Sequence, residues 1–294
     1  MKKTFLLALC ALAFVSCEKE NTNEPTPQPT QIPINIEMGM YTRATDATFE
    51  NGDEVGIYVV NYNGGNAGVL ANEGNHADNV RYQFSTKWTP DEEIYWKDQT
   101  TKADIYAYYP YAQPTNVSAH NFSVNTNQST EEAYRAGDFL WGKAAGITPT
   151  EEAVPVTTHH TFSNALIYIV PGDGFTADDL AAANIEVKLC NVKCNADINL
   201  ANGVATATGA TADITPWNTG AYYRALVVPQ TVAEGTGLVT IKVDDVTYTY
   251  TKGMTFKANT QHKLTITVNK LSNGVNIGIG DWEVDNEDYG GSAE

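Results

Sequence analysis

The chain has 294 residues, 42% of them hydrophobic and 18% charged, enough apolar material for a sizeable core and for two domains. Asp and Glu number 35 against 18 Lys and Arg, a formal net charge of -17 that repels phosphate backbones and anionic headgroups and argues against a nucleic-acid partner. The 16 Tyr, 9 Phe and 5 Trp, with recurrent Val, Ile and Thr, suit pleated sheets better than helices.

At the N-terminus, Lys2 and Lys3 precede an apolar run from Phe5 to Val15 that is too short to span a bilayer. With Phe14-Val15-Ser16-Cys17 closing it, residues 1–17 resemble a bacterial lipoprotein signal peptide, although Phe14 stands where Leu is commoner. That resemblance implies cleavage before Cys17 and acylation of its thiol; an ordinary secretory signal with a chance cysteine is the other reading. Residues 18–31, charged and then rich in Pro, Thr and Asn with Pro25, Pro27 and Pro29 alternating, read as a solvated, semi-extended tether.

From Ile32 the pattern changes to short alternating runs. Ile32, Ile34, Ile36, Met38 and Met40 fall on one face of a strand, and Asn35, Glu37 and Gly39 on the other. Strands follow at Val55 to Tyr62, Val80 to Ser85, Ile105 to Tyr109, Phe122 to Val124 and Phe139 to Trp141. The nearly continuous apolar run from Phe162 to Val170 reads as a central strand, stopped by Pro171-Gly172-Asp173-Gly174. One short helix is expected after Thr176, which can cap, with Asp178 and Asp179 suiting the positive first turn. Strands resume at Ile185 to Leu189, Asp197 to Leu200, Tyr222 to Val228, Leu238 to Val243 and Val246 to Thr251, the last two joined by a tight Asp244-Asp245 turn. Leu264, Ile266 and Val268 then alternate with threonines, as Val275, Ile277 and Ile279 do with Asn276 and Gly278. This distribution predicts an all-β chain of two Greek-key β-sandwich domains, residues 32–155 and 156–294, with one short helix.

Chemistry is sparse. Cys190 and Cys194, four strand residues or about 13 Å apart if the segment is extended, lie beyond the roughly 7 Å reach of a disulfide and read as two half-buried thiols. Adjacent His159 and His160 would point to opposite faces of a strand, and no zinc-type spacing, nucleophile elbow, P-loop or dinucleotide fingerprint is present. No metal or cofactor is called for, and no enzyme activity is expected. The pairs Glu92-Glu93, Asp178-Asp179 and Asp244-Asp245 could supply a glycosidase acid and base, but adjacent carboxylates on turns are usually solvated. Trp88, Trp96, Tyr108, Tyr109 and Tyr111 could stack on sugar rings if exposed, or sit in the core.

Several local sequences, in order along the chain, resemble the fimbrillin (Mfa-like) family, the type V pilins of certain anaerobic bacteria. They are Thr42-Arg43-Ala44; Gly52-Asp53-Glu54-Val55-Gly56-Ile57-Tyr58; Asp104-Ile105-Tyr106-Ala107-Tyr108-Tyr109-Pro110-Tyr111; Asp138-Phe139-Leu140-Trp141-Gly142; His160-Thr161-Phe162-Ser163; Val228-Pro229-Gln230; and Gly280-Asp281-Trp282. The resemblance implies two transthyretin-like β-sandwich domains, export as an outer-membrane lipoprotein through Cys17, and assembly into a cell-surface fimbrium. It further implies that a trypsin-like protease cuts between Arg43 and Ala44, removing the strand of Ile32, Ile34, Ile36, Met38 and Met40. Another pilin subunit would then fill the vacancy with an extended segment. Val275, Ile277, Ile279 and Trp282 have the alternation for that donor. Other partners would be the outer membrane, through the lipid of the precursor, and a host protein or glycan receptor. A monomeric glycan-binding surface lipoprotein is the alternative.

Overall fold

The computed structural model describes residues 31–40 and 49–270, and for Met40 the backbone only. The signal peptide with Cys17, all of the tether but Gln31, the Arg43-Ala44 bond and the donor candidates Val275, Ile277, Ile279 and Trp282 lie outside the described residues.

Eight strands build the first sheet region and its neighbour: β1 Ile36–Met40, β2 Glu54–Asn61, β3 Ala77–Phe84, β4 Trp88–Pro90, β5 Ala103–Tyr109, β6 His120–Ser123, β7 Leu140–Ile147 and β8 Val154–His160. All but β6 form one sheet in the order β1-β8-β7-β5-β2-β3-β4. Strands β2 and β5 sit inside it, and both are buried over six consecutive residues, because apolar layers cover both faces of the sheet. Val55, Ile57, Val59, Ile105 and Ala107 point into one layer; Tyr58, Val60, Tyr106 and Tyr108 point into the other. Alternation is therefore lost in the sequence just where the sheet is central.

The remainder comprises β9 Ser163–Pro171, β10 Ile185–Asn199, β11 Val204–Ile214, β12 Trp217–Asn218, β13 Tyr223–Val227, β14 Gln230–Val232, β15 Val239–Val243, β16 Val246–Tyr250, β17 Met254–Phe256 and β18 Thr260–Val268. One sheet runs β11-β10-β15-β16 with β6 also paired to β10, a second runs β12-β13-β9-β18, and β14 pairs with β17. As expected, the apolar run after Phe162 is an inner strand, with β13 antiparallel on one side and β18 parallel on the other. The fold is all-β, with sheets layered as sandwiches. The 155/156 boundary drawn from the sequence falls inside β8, and β6 leaves the first sheet to join β10.

Among the described residues there are two short helices, α1 Glu131–Arg135 and α2 Ala177–Ala182. The second is the expected one: Asp179 N–H donates to Thr176 Oγ1 at 3.1 Å while Thr176 N–H donates to Asp179 Oδ2 at 2.8 Å, a complete capping box. The first has five residues and one buried side chain, Tyr134, too few for a periodic signal. The Asp244-Asp245 turn is also present, with Val243 opposite Val246 and Asp244 at φ 52°, a conformation that Asp tolerates.

The chief departure from expectation is β10, one 15-residue strand where the pattern suggests two pieces. Val187 and Leu189 are buried, and then Cys190, Val192, Cys194, Ala196 and Ile198, so the inward set changes from odd to even positions. The change coincides with a register shift between Leu189 and Val192, where Asn191 has φ 60°. Both thiols are free and buried, not half-buried, and burial pushes each above the ordinary thiol range. Strand β11 has no expected counterpart, because Ala and Thr alternate there without a strong apolar face.

Two groups of buried residues tie the layers together. Phe139, wholly buried, has ring neighbours Tyr108 at 6.0 Å, Phe122 at 5.1 Å, His120 at 5.8 Å and Phe162 at 6.4 Å, linking the first sheet to β6 and the start of β9. On the first sheet Asp104, 1% exposed, accepts from Lys143 Nζ at 2.8 Å and from Gly146 N–H at 2.7 Å. Asp104→Ala leaves that amide and the partly buried ammonium without their acceptor, and an unfolding free-energy loss of about 2–4 kcal/mol is expected in urea titrations. Asp104→Asn, which keeps an acceptor, is expected to recover part of it.

Burial lowers the pKa of His120; it also lowers those of His159, helped by His160, and His262, helped by Lys257. Above the unfolded-state value of about 6.5 these rings are neutral in both states; below it the unfolded chain takes up protons that the folded one resists. Stability is therefore expected to fall as pH drops from about 6.5 toward 5, and His120→Phe is expected to flatten that limb in pH-dependent thermal melts.

Candidate functional site

The first described strand lies at the edge of the seven-stranded sheet and does two jobs there. Before β1 proper, Pro33 bridges Tyr95 in antiparallel sense, Ile34 N–H donates to Ile94 O at 2.7 Å and Trp96 N–H donates to Ile32 O at 2.8 Å. After Asn35 the chain crosses to β8 and pairs with it in parallel, Ile36 opposite Val154 through Met40 opposite Thr158. The single strand expected over Ile32 to Met40 is thus divided: a bridge to the segment after β4, then a strand beside β8. Residues 32–40 contact both ends of the sheet.

Pairs between β7 and β8 cover only Thr158 to His160, so among the described residues Val154 to Thr157 have their ladder partner in β1. Because Val154 N–H donates to Asn35 O at 2.7 Å, alternation turns the nitrogen of Pro155 away from β1, and the proline costs no bond on that side. Two side chains add to the seam: Asn35 Nδ2 donates to Glu151 O at 3.1 Å, and the buried Thr158 hydroxyl donates to Gly39 O at 3.2 Å.

The apolar face predicted from the sequence is the face that is buried. Ile34, Ile36 and Met38 are 4%, 8% and 7% exposed, and Ile32 is half-buried. They pack with Val55, Ile57, Ile94, Trp96, Val154 and Val156 in one apolar cluster. Three fully buried side chains at about 1.5–3 kcal/mol each make the strand's apolar contribution about 5–9 kcal/mol, an upper bound. The partners Ile94, Trp96, Val154 and Val156 were not assigned to this site from the sequence. The alternation Val154-Pro155-Val156 was its one visible trace.

Beyond residues 41–48, which contain Arg43 and Ala44, Phe49 packs against the apolar cluster of the first sheet, ahead of β2. Its ring stands edge-on to Trp88 at 4.8 Å and lies 6.1 Å from Tyr109. The strand and the Phe49 anchor are therefore on opposite sides of the 41–48 segment in the chain.

The aromatic residues considered for sugar stacking are occupied elsewhere. Trp96 is buried with its Nε1–H donating to Thr150 O at 3.0 Å, and Tyr108 is buried with its hydroxyl donating to Ala112 O at 2.9 Å. Trp88 and Tyr109 are half-buried against Phe49, and Tyr111 lies under the Arg81 guanidinium at 5.9 Å. The acidic pairs serve local structure: Glu93 accepts from Tyr95 O–H, Asp179 completes the capping box, and Asp244 Oδ1 accepts from Asn184 N–H. Among the described residues no group of three or more His, Cys, Asp or Glu could hold a metal ion. No described helix is long and apolar enough to cross a membrane.

The chain is all-β, and its first described strand lies at a sheet edge with an apolar cluster beneath it. The Fimbrillin-like family profile matches residues 42–282, and the chain belongs to that family. It is 26% identical over 301 residues to Fim1C of Bacteroides uniformis, a candidate fimbrium subunit, with 96% of both chains covered. Two crystal structures share the fold. One, of a candidate cell adhesion protein from Bacteroides uniformis, has a TM-score of 0.63 and 24% identity, covering 83% of this chain and 95% of the other. A second, from Bacteroides ovatus, has a TM-score of 0.66 and 20% identity, covering 88% and 100%.

Proposed function

We propose that the protein is a structural fimbrial subunit, exported as a lipoprotein acylated at Cys17 and assembled at the cell surface by protease-triggered strand exchange. A trypsin-like enzyme cuts between Arg43 and Ala44, the strand bearing Ile32, Ile34, Ile36, Met38 and Met40 leaves, and the segment bearing Val275, Ile277, Ile279 and Trp282 of another copy takes its place. The observation that carries this reading is that, among the described residues, Val154 to Thr157 pair in the sheet with β1 and not with β7. Removing the strand leaves an open edge above an apolar cluster, the combination that strand addition requires. Membership of the Fimbrillin-like family supports the same reading. The polymer then contributes to adhesion.

The test is the N-terminus of surface-extracted protein, read by mass spectrometry, with electron micrographs of trypsin-treated precursor. Polymerised material starting at Ala44, and filaments after treatment, are expected. Polymerised material that still begins at an acylated Cys17 would overturn the proposal.

A further inference from the structure

We infer a further function, resting on the strand-exchange reading: β8, β9 and β18 form a tension-carrying spine whose exit is pinned by Asn269. In a polymer each subunit is pulled at two places. One is the edge of β8, where the foreign strand sits; the other is the point where the chain leaves β18 toward the next subunit. The topology joins these points by a short route. Only Thr161 and Phe162 separate the end of β8 from the start of β9. Strand β9 is paired in parallel with β18 along nine register pairs, from Ser163 opposite Thr260 to Pro171 opposite Val268.

Parallel pairing decides how the load falls. Force reaches β9 at its first residue and leaves β18 at its last, points separated by eight strand steps or about 26 Å. The two strands are therefore pulled from opposite ends, and the evenly spaced bonds between them are loaded together. An antiparallel partner in the position of β18 would leave the sheet beside the point where β9 is held, and its bonds would open one after another. On its other side β9 is flanked by β13, with Ser163 to Ile167 opposite Val227 to Tyr223.

The exit itself is fastened. Gly172 N–H donates to Val268 O at 2.9 Å, Lys270 N–H donates to Asp173 O at 2.7 Å, and Asp173 N–H donates to Asn269 Oδ1 at 2.8 Å. A Cβ at Gly172 would collide with Asn269 Oδ1, so the glycine is what lets that side chain reach the loop. The Lys270 ammonium reaches back over the Phe175 ring at 5.9 Å. These contacts hold residues 268–270 to the loop that follows β9, so that pulling beyond residue 270 loads β18 along its axis and does not peel it sideways. Asn269 is a positioning residue: it aims the chain and touches no partner itself.

Single-molecule pulling of the uncleaved folded chain tests this without a polymer, since rupture under force reports the unfolding barrier directly. Handles at residues 157 and 270 load the spine in shear; handles at residues 157 and 258 peel β18 from the end it shares with β9. The rupture force in the first geometry is expected to be about twice that in the second, because the bonds share the load. Asn269→Ala is expected to lower the first force and leave the second unchanged, with an unaltered circular dichroism spectrum showing that it folds. Equal forces in the two geometries would overturn the spine, and an Asn269→Ala chain with an unchanged shear force would overturn the role of the exit. Filament formation after trypsin is scored separately, so failure to polymerise sinks the strand-exchange reading and leaves the force comparison standing on its own result.

Discussion

A chain carrying Ile36→Asp and Met38→Asp is expected to release its first strand without any protease. Both side chains are buried in the cluster beneath β1, and a carboxylate placed there without a partner costs several kcal/mol. The penalty has a ceiling, because the strand can detach instead of burying the charges, and its apolar contribution is about 5–9 kcal/mol. Detachment is thus the cheaper outcome, leaving residues 49–270 folded but with Val154 to Thr157 unpaired. The expected results are rapid tryptic loss of residues 31–40, a lowered urea midpoint, and concentration-dependent association of the uncleaved double variant. A variant that loses the strand to trypsin no faster than wild type and stays monomeric when uncleaved would show that the edge does not govern assembly. Conservative Ile36→Val is expected to leave all three measurements near wild type.

The second large effect is expected at Phe139. Its side chain is wholly buried and lies within 6.4 Å of the ring centres of Tyr108, Phe122, His120 and Phe162, which come from the first sheet, β6 and the lead into β9. Phe139→Ala opens a cavity among residues that cannot close on it, since they belong to three separate segments, β5, β6 and the lead into β9, and is expected to cost about 3–5 kcal/mol. For a folded body of this size that corresponds to a melting temperature lower by roughly 10 °C in calorimetry. Because the ring joins the first sheet to β6 and β9, a second, earlier transition is expected to separate from the main one. Phe139→Leu, which refills most of the space, is expected to keep a single transition.

What the sequence made legible follows from period and composition. The face formed by Ile34, Ile36 and Met38, the capped helix after Thr176, the Asp244-Asp245 turn and the inner position of the run after Phe162 all rest on contacts within a few residues, and each stands in the fold. The resemblance in ordered short motifs agrees with the family match over residues 42–282. Strand β11 and the continuity of β10 were hidden for opposite reasons. The first has side chains too small to mark a face, and the second has a bulge at Asn191 that breaks the alternation by which strands are recognised.

By itself the sequence determined that the chain is built from strands, which side of the first one is apolar, and which family's motifs it carries. Only the tertiary structure decided that residues 32–34 meet Ile94 to Trp96, that β1 and β18 run parallel to β8 and β9, and that Trp96 and Tyr108 face inward. The physical reason is distance along the chain. Periodicity records which side chains share a face, but strand direction and partner are fixed by hydrogen bonds and packing between segments far apart in sequence, Ile36 with Val154 and Thr260 with Ser163, which leave no local mark.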